Sequence, residues 1–135
     1  AWKFKKVEEI YENMEFKNDV VFTGFLDTSE LVSLYSDAFA SIYISYFEGF
    51  GIPIIESQTC GTPVITSNVS SMPEVAGNGA LLTNPFEIKS ITGAMGEMVN
   101  KPGLRDQLAQ NGLQNAQRFS WDTSAKKVMA ILEEL

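Results

Sequence analysis

The 135-residue chain contains no histidine and only one cysteine. Without histidine, neither a Ser-His-Asp nor a Cys-His nucleophile system can be assembled within it, nor can a His-bearing zinc site. A lone cysteine cannot close an intrachain disulfide. Cys60 lies near the end of an apolar stretch, where it reads as a small buried residue of a reducing, cytoplasmic compartment. Cationic side chains are also scarce, 10 Lys and Arg against 17 Asp and Glu, and the net charge of −7 argues against a nucleic-acid partner. No apolar run is long enough to span a membrane, and the beginning shows no signal-peptide pattern. The segment Ala1-Trp2-Lys3-Phe4-Lys5-Lys6 is too short, and too soon followed by Glu8 and Glu9, to be a basic targeting arm.

Repeats, low-complexity tracts and Pro/Ser-rich linkers are absent as well, so residues 1–135 read as a single domain, and a hydrophobic content of 44% is ordinary for a globular one. Short β-rich runs alternate with amphipathic segments, the pattern of a parallel α/β sheet flanked by helices. Strands are expected over 20–23, 40–44, 64–66 and 80–82. Asp27, with Glu30 three residues on, predicts a capped helix that buries Leu31, Leu34 and Tyr35. A helix over 87–99 would present Ile88, Ile91, Met95, Met98 and Val99 on one side, weakened at Gly93 and Gly96 by roughly 1 kcal/mol each. Two more helices are expected, over 103–118 with Leu104 and Leu108 inward, and from a Ser120 cap to Leu135. The first helix, over 7–14, has no strand before it.

The richest stretch is Glu48-Gly49-Phe50-Gly51-Ile52-Pro53-Ile54-Ile55-Glu56, a flexible acidic turn running into an apolar helix that ends at Cys60-Gly61-Thr62-Pro63. Gly49 and Gly51 allow close backbone approach to a ligand, and Pro53 suits a first helical turn. Free amides there, with the positive end of the helix dipole behind them, suit a phosphate. Acids do not hold phosphates, so Glu48 and Glu56 read as acceptors for hydroxyls, as on a sugar or a ribose. Glu74, after Pro73, reads as a cap or loop organiser, and Phe25, Tyr43, Tyr46 and Trp121 as core or rim aromatics.

Glu48-Gly49-Phe50-Gly51 through Glu56, followed by 60–68 (CGTPVITSN) and Pro73-Glu74-Val75-Ala76-Gly77, resembles the E-x7-E region of GT-B glycosyltransferases of family 4, the group 1 transferases. Phe22-Thr23-Gly24-Phe25 with Glu30-Leu31, and Arg118-Phe119-Ser120-Trp121, extend the likeness over nearly the whole chain. The resemblance implies a Rossmann-like C-terminal domain of a two-domain GT-B enzyme, lacking its first two strands and the family's basic diphosphate residues, a role that Lys3, Lys5 and Lys6 do not fill. It implies a nucleotide-diphospho-sugar such as a UDP- or GDP-sugar as substrate and no metal or other cofactor. Glu56 would hold the ribose and Glu48 would contact the transferring sugar near the reaction centre. The amides of Phe50, Gly51 and Ile52 would hold the diphosphate, with the backbone of Gly24 and Phe25 at the base. It further implies retaining transfer of a hexose to a hydroxyl acceptor, with an N-terminal acceptor-binding domain as partner and any peripheral membrane contact made through that domain. A non-catalytic nucleotide- or protein-binding module of the same ancestry is the alternative.

Overall fold

The computed structural model describes residues 4–134. Lys3 and Leu135, which fall in the basic first segment and the last expected helix, lie outside the described residues. The chain runs α1 (Phe4–Glu12), a short 3-10 turn at Lys17–Asp19, α2 (Thr28–Asp37), β1 (Ser41–Tyr43) and α3 (Ile52–Thr59). It continues with β2 (Val64–Ser67), α4 (Met72–Ala76), β3 (Ala80–Thr83), α5 (Ile88–Asn100), α6 (Leu104–Ala116) and α7 (Trp121–Glu133).

The three described strands pair in parallel in the order β1-β2-β3, with Ile42 beside Ile65 and Thr66 beside Leu82. Parallel neighbours require crossover helices, which α3 and α4 supply. Central β2 is buried at all four positions, so its alternate side chains serve two cores. Val64 packs with Ile54, Met72, Val75 and Ala76 under α3 and α4, whereas Ile65 packs with Ala94, Met98, Leu104 and Leu108 under α5 and α6.

Residues 20–23, expected as a strand, form no ladder; Val21 and Phe22 are 79% and 71% exposed, and the Phe22 and Tyr11 rings meet edge to face at 5.1 Å. β propensity cannot make a strand without a neighbour to take its backbone groups. In α2 the capping box forms as expected, Asp27 accepting from the Glu30 amide and Glu30 from the Asp27 amide, yet Leu34 is exposed and Leu31 and Tyr35 only half-buried. The buried positions of α5 are Ala94 and Met98, with Ile91 half-buried one turn before Ala94, and Ile88, Met95 and Val99 face outward. The expected apolar set was wider than the face the sheet covers. Leu104 and Leu108 are buried as expected. Ser120 caps α7 by accepting from the Thr123 amide, and Trp121 is 85% exposed rather than packed.

Candidate active site

Parallel sheets place their functional loops beyond the carboxyl ends of the strands. Here the loop after β1 and the loop after β2 are fastened together by serine hydroxyls. Ser67, at the end of β2, accepts from the Ser45 amide at 3.0 Å and donates to the Ser45 carbonyl at 2.6 Å. Ser70 and Ser71 donate to the Glu48 carbonyl at 2.7 and 3.0 Å, and Ser71 also reaches the Phe50 carbonyl at 2.8 Å. Ser70 is the one non-glycine residue with positive φ among the described residues, at 57°. Such a conformation persists only where surrounding bonds hold it.

The side chain of half-buried Glu48 is held from the other end. Oε1 accepts from Ser45 Oγ at 2.6 Å and from Tyr43 Oη at 2.8 Å. These two bonds, Ser45's first, hold the carboxyl below its ordinary range, because they favour the charged form. Burial and the same carboxylate push the Tyr43 phenol up, so it stays a donor.

Gly51 caps α3 with φ 105° and ψ 49°, a left-handed conformation, and Pro53 falls in the first turn. The amides of Phe50, Gly51 and Ile52 donate to no acceptor among the described residues. Gly49, expected to need the same freedom, has no left-handed φ. Glu56 lies on the exposed side of α3 and lines a cavity of about 600 Å³ between α2, α3 and the start of α7. Phe50, Ile52, Tyr35, Arg118 and Trp121 share that lining, while Glu48, Gly24 and Phe25 do not. The two carboxylates therefore do not line one cavity: Glu56 borders this one, and Glu48 is held by Tyr43 and Ser45. Gly24 adopts φ 67° in the loop before α2, and Phe25 is fully exposed there.

The Glycosyl transferases group 1 family matches residues 3–115. The chain belongs to this family. It is 31% identical over 122 residues to O-antigen chain mannosyltransferase B of Escherichia coli, covering 90% of this chain and 32% of that protein. O-antigen chain mannosyltransferase RfbU of Salmonella typhimurium is 40% identical over 96 residues, 71% of this chain and 27% of its own length. Among solved structures, sucrose-phosphate synthase from Thermosynechococcus elongatus superposes with a TM-score of 0.84 at 27% identity, covering 96% of this chain and 33% of that one. Anabaena HepE, solved in complex with UDP and glucose, reaches 0.87 at 24% identity over 98% of this chain and 36% of its own, a likeness of fold. The chain thus spans about a third or less of the length of these two mannosyltransferases.

In this group 1 member, a buried polar network tying α3 to α4 and α6 escaped the sequence reading. Gln58 donates to the Ala76 carbonyl at 2.9 Å, Asn115 donates to Gln58 and to the Val75 carbonyl, and Arg118 donates to Asn115 at 2.6 Å. Arg118, which entered the reading only within its motif with Phe119, is therefore fixed from α6. The hydroxyls of Tyr43 and Ser45 also escaped it. The spacing Tyr43-x-Ser45-x-x-Glu48 carries the only signal, two donors shortly before an acid.

Proposed function

We propose that this chain is the donor-binding part of a retaining glycosyltransferase that transfers a hexose from a nucleotide-diphospho-sugar, UDP- or GDP-linked, to a hydroxyl acceptor. Family membership supports glycosyl transfer, and the names of the mannosyltransferase relatives support a hexose. The observation that carries the reading is the α3 N-terminus: amides at Phe50, Gly51 and Ile52 that have no partner among the described residues, with Glu48 in the loop before the helix and Glu56 within it.

In this reading the amides and the helix dipole take the diphosphate, at no reorganisation cost, and neutralise the leaving group without a metal. Glu56 accepts from the ribose hydroxyls and the Gly24–Phe25 backbone borders the base. Glu48 accepts from a hydroxyl of the transferring sugar, and the donor phosphate assists the incoming acceptor hydroxyl. The acceptor site belongs to an N-terminal domain, which also makes any membrane contact. A cytoplasmic location goes with unpaired Cys60. Among the described residues, no helix is long and apolar enough to cross a membrane.

The test uses the complete enzyme. Glu56→Gln should weaken nucleoside-diphosphate binding about tenfold or more, the value of a charge-assisted hydrogen bond, whereas Glu48→Gln should leave binding and lower kcat. Calorimetry and transfer from radiolabelled nucleotide sugars separate the two. Two mutants that both bind and turn over like wild type would refute the carboxylate roles.

A further inference from the structure

A carboxylate rotates freely about its last bond unless something fixes it, and Glu48 is fixed at both ends. Its carbonyl is held by Ser70 and Ser71, and its Oε1 by Tyr43 and Ser45. We propose that Tyr43 and Ser45 are positioning residues for Glu48, converging on Oε1 so that Oε2 is left as the acceptor for a hydroxyl of the donor sugar. The inference rests on the reading in which Glu48 contacts that sugar.

Three observations carry it. Both hydroxyls donate to the same oxygen, and Oε2 accepts from no described residue. The two donors are themselves held, Tyr43 on β1 with its ring against the Ile54 core and Ser45 by the two-way bond with buried Ser67. Among the described residues no lysine or arginine pairs with Glu48, so hydroxyls do the work an ion pair would otherwise do. A hydroxyl clamp leaves the carboxylate's charge free for substrate, where a cation would compete for it. Two bonds on one oxygen also set the plane of the carboxylate, and hence the direction of the free lone pairs.

The groups facing Glu48 are Tyr43 and Ser45 from β1 and the loop after it, and the hydroxyls of Ser70 and Ser71 from the loop before α4. Tyr35 on α2 acts one step removed, through Tyr43. Tyr43 is thus the titratable neighbour, and it remains protonated over the range in which a carboxylate titrates.

The experiment compares the complete enzyme with Tyr43→Phe, Ser45→Ala, Ser45→Thr and Glu48→Gln. Tyr43→Phe keeps the ring in the core, and Ser45→Thr keeps the hydroxyl. Tyr43→Phe and Ser45→Ala should each lower kcat by about tenfold, with nucleoside-diphosphate affinity by calorimetry unchanged. In both, the acid limb of kcat/KM should move to higher pH, because a donor to the ionised form is gone. Ser45→Thr should restore both readouts. A fall in kcat with the acid limb unmoved, or wild-type kinetics in Tyr43→Phe and Ser45→Ala while Glu48→Gln is impaired, would overturn the proposal alone. Wild-type turnover by Glu48→Gln would overturn the underlying reading as well.

Discussion

Asn115 donates from Nδ2 to Oε1 of Gln58 at 2.8 Å, joining α6 to α3 beneath the candidate site. Gln58 is fully buried and Asn115 only 7% exposed, so each amide depends on the other for its partners. Through Asn115 Oδ1, the same contact holds the Arg118 guanidinium, which borders the cavity that Glu56 lines. Packing in the interior and the shape of the site are therefore one problem.

Truncation of Asn115 to alanine should destabilise the complete protein by on the order of 2–3 kcal/mol, because it strands the Gln58 amide oxygen and the Val75 carbonyl in the interior. Thermal unfolding checks the direction. Donor binding should fall as well, since Arg118 loses its tether, and a variant with lowered stability but unchanged nucleoside-diphosphate affinity would separate the network from the site.

Two glycine substitutions should act in opposite directions. A Cβ at Gly79 would lie 2.5 Å from Gln58 Nε2 and 2.5 Å from the Gly112 backbone, so Gly79→Ala must push α6 away and should cost about 1–3 kcal/mol. Gly93, inside α5, has nothing within 4 Å of its Cβ position. Gly93→Ala should raise stability by about 0.5–1 kcal/mol through helix propensity. Unfolding midpoints of the two variants in opposite order would contradict the packing described here.

Local chemistry was legible in the sequence wherever one segment decides its own structure. The Asp27 and Glu30 capping box, the Pro53 helix start and the inward Leu104 and Leu108 each follow from spacing within a few residues. What was not legible depends on a neighbour distant in the chain. Residues 20–23 carry strand propensity, but propensity does not supply a partner. Leu34 and Val99 look like core side chains until the width of the covered face is known. For Gly79, the constraint is Gly112 and Gln58, neither of them near it in sequence. The same holds at the site: the glycines and acids around α3 stand out locally, whereas the serine fastening of Glu48 joins residues 22 apart.

Asp27 gives a pH test of the α2 cap. Hydrogen bonds from the Glu30 amide, then from Ser29, hold its carboxyl below the ordinary value of 3.8. A carboxyl whose folded pKa is depressed adds stability above its unfolded pKa and loses it as pH falls through the folded value. Asp27→Asn keeps an acceptor for the Glu30 amide but not the charge. The variant should be slightly less stable than wild type at about pH 7, with the gap closing toward about pH 2. The effect is small because the group is exposed and screened. Urea unfolding across that range measures it, and a gap independent of pH would exclude the charge as its cause.

The turn before α3 yields the sharpest prediction, because the geometry separates two glycines that look equivalent in sequence. Gly51 has φ 105°, where any side chain is strained, and an added Cβ would sit 3.2 Å from Ile54 Cδ1. Gly49 has no such φ and nothing within 4 Å. Phe50 between them is half-exposed and meets the edge of Phe119 at 5.7 Å, so Phe50→Leu leaves every amide where it is. If the amides of Phe50, Gly51 and Ile52 hold the diphosphate, Gly51→Val should displace them and lower nucleoside-diphosphate affinity by about tenfold or more, with the complete enzyme still folded by circular dichroism. Phe50→Leu should keep most of the affinity. Gly49→Ala leaves the turn intact, so a loss there locates the ligand against the Gly49 Cα, while retention locates it on the Gly51 side. Equal affinities for Gly51→Val and Phe50→Leu would refute the amide cradle and leave the diphosphate to side chains outside α3.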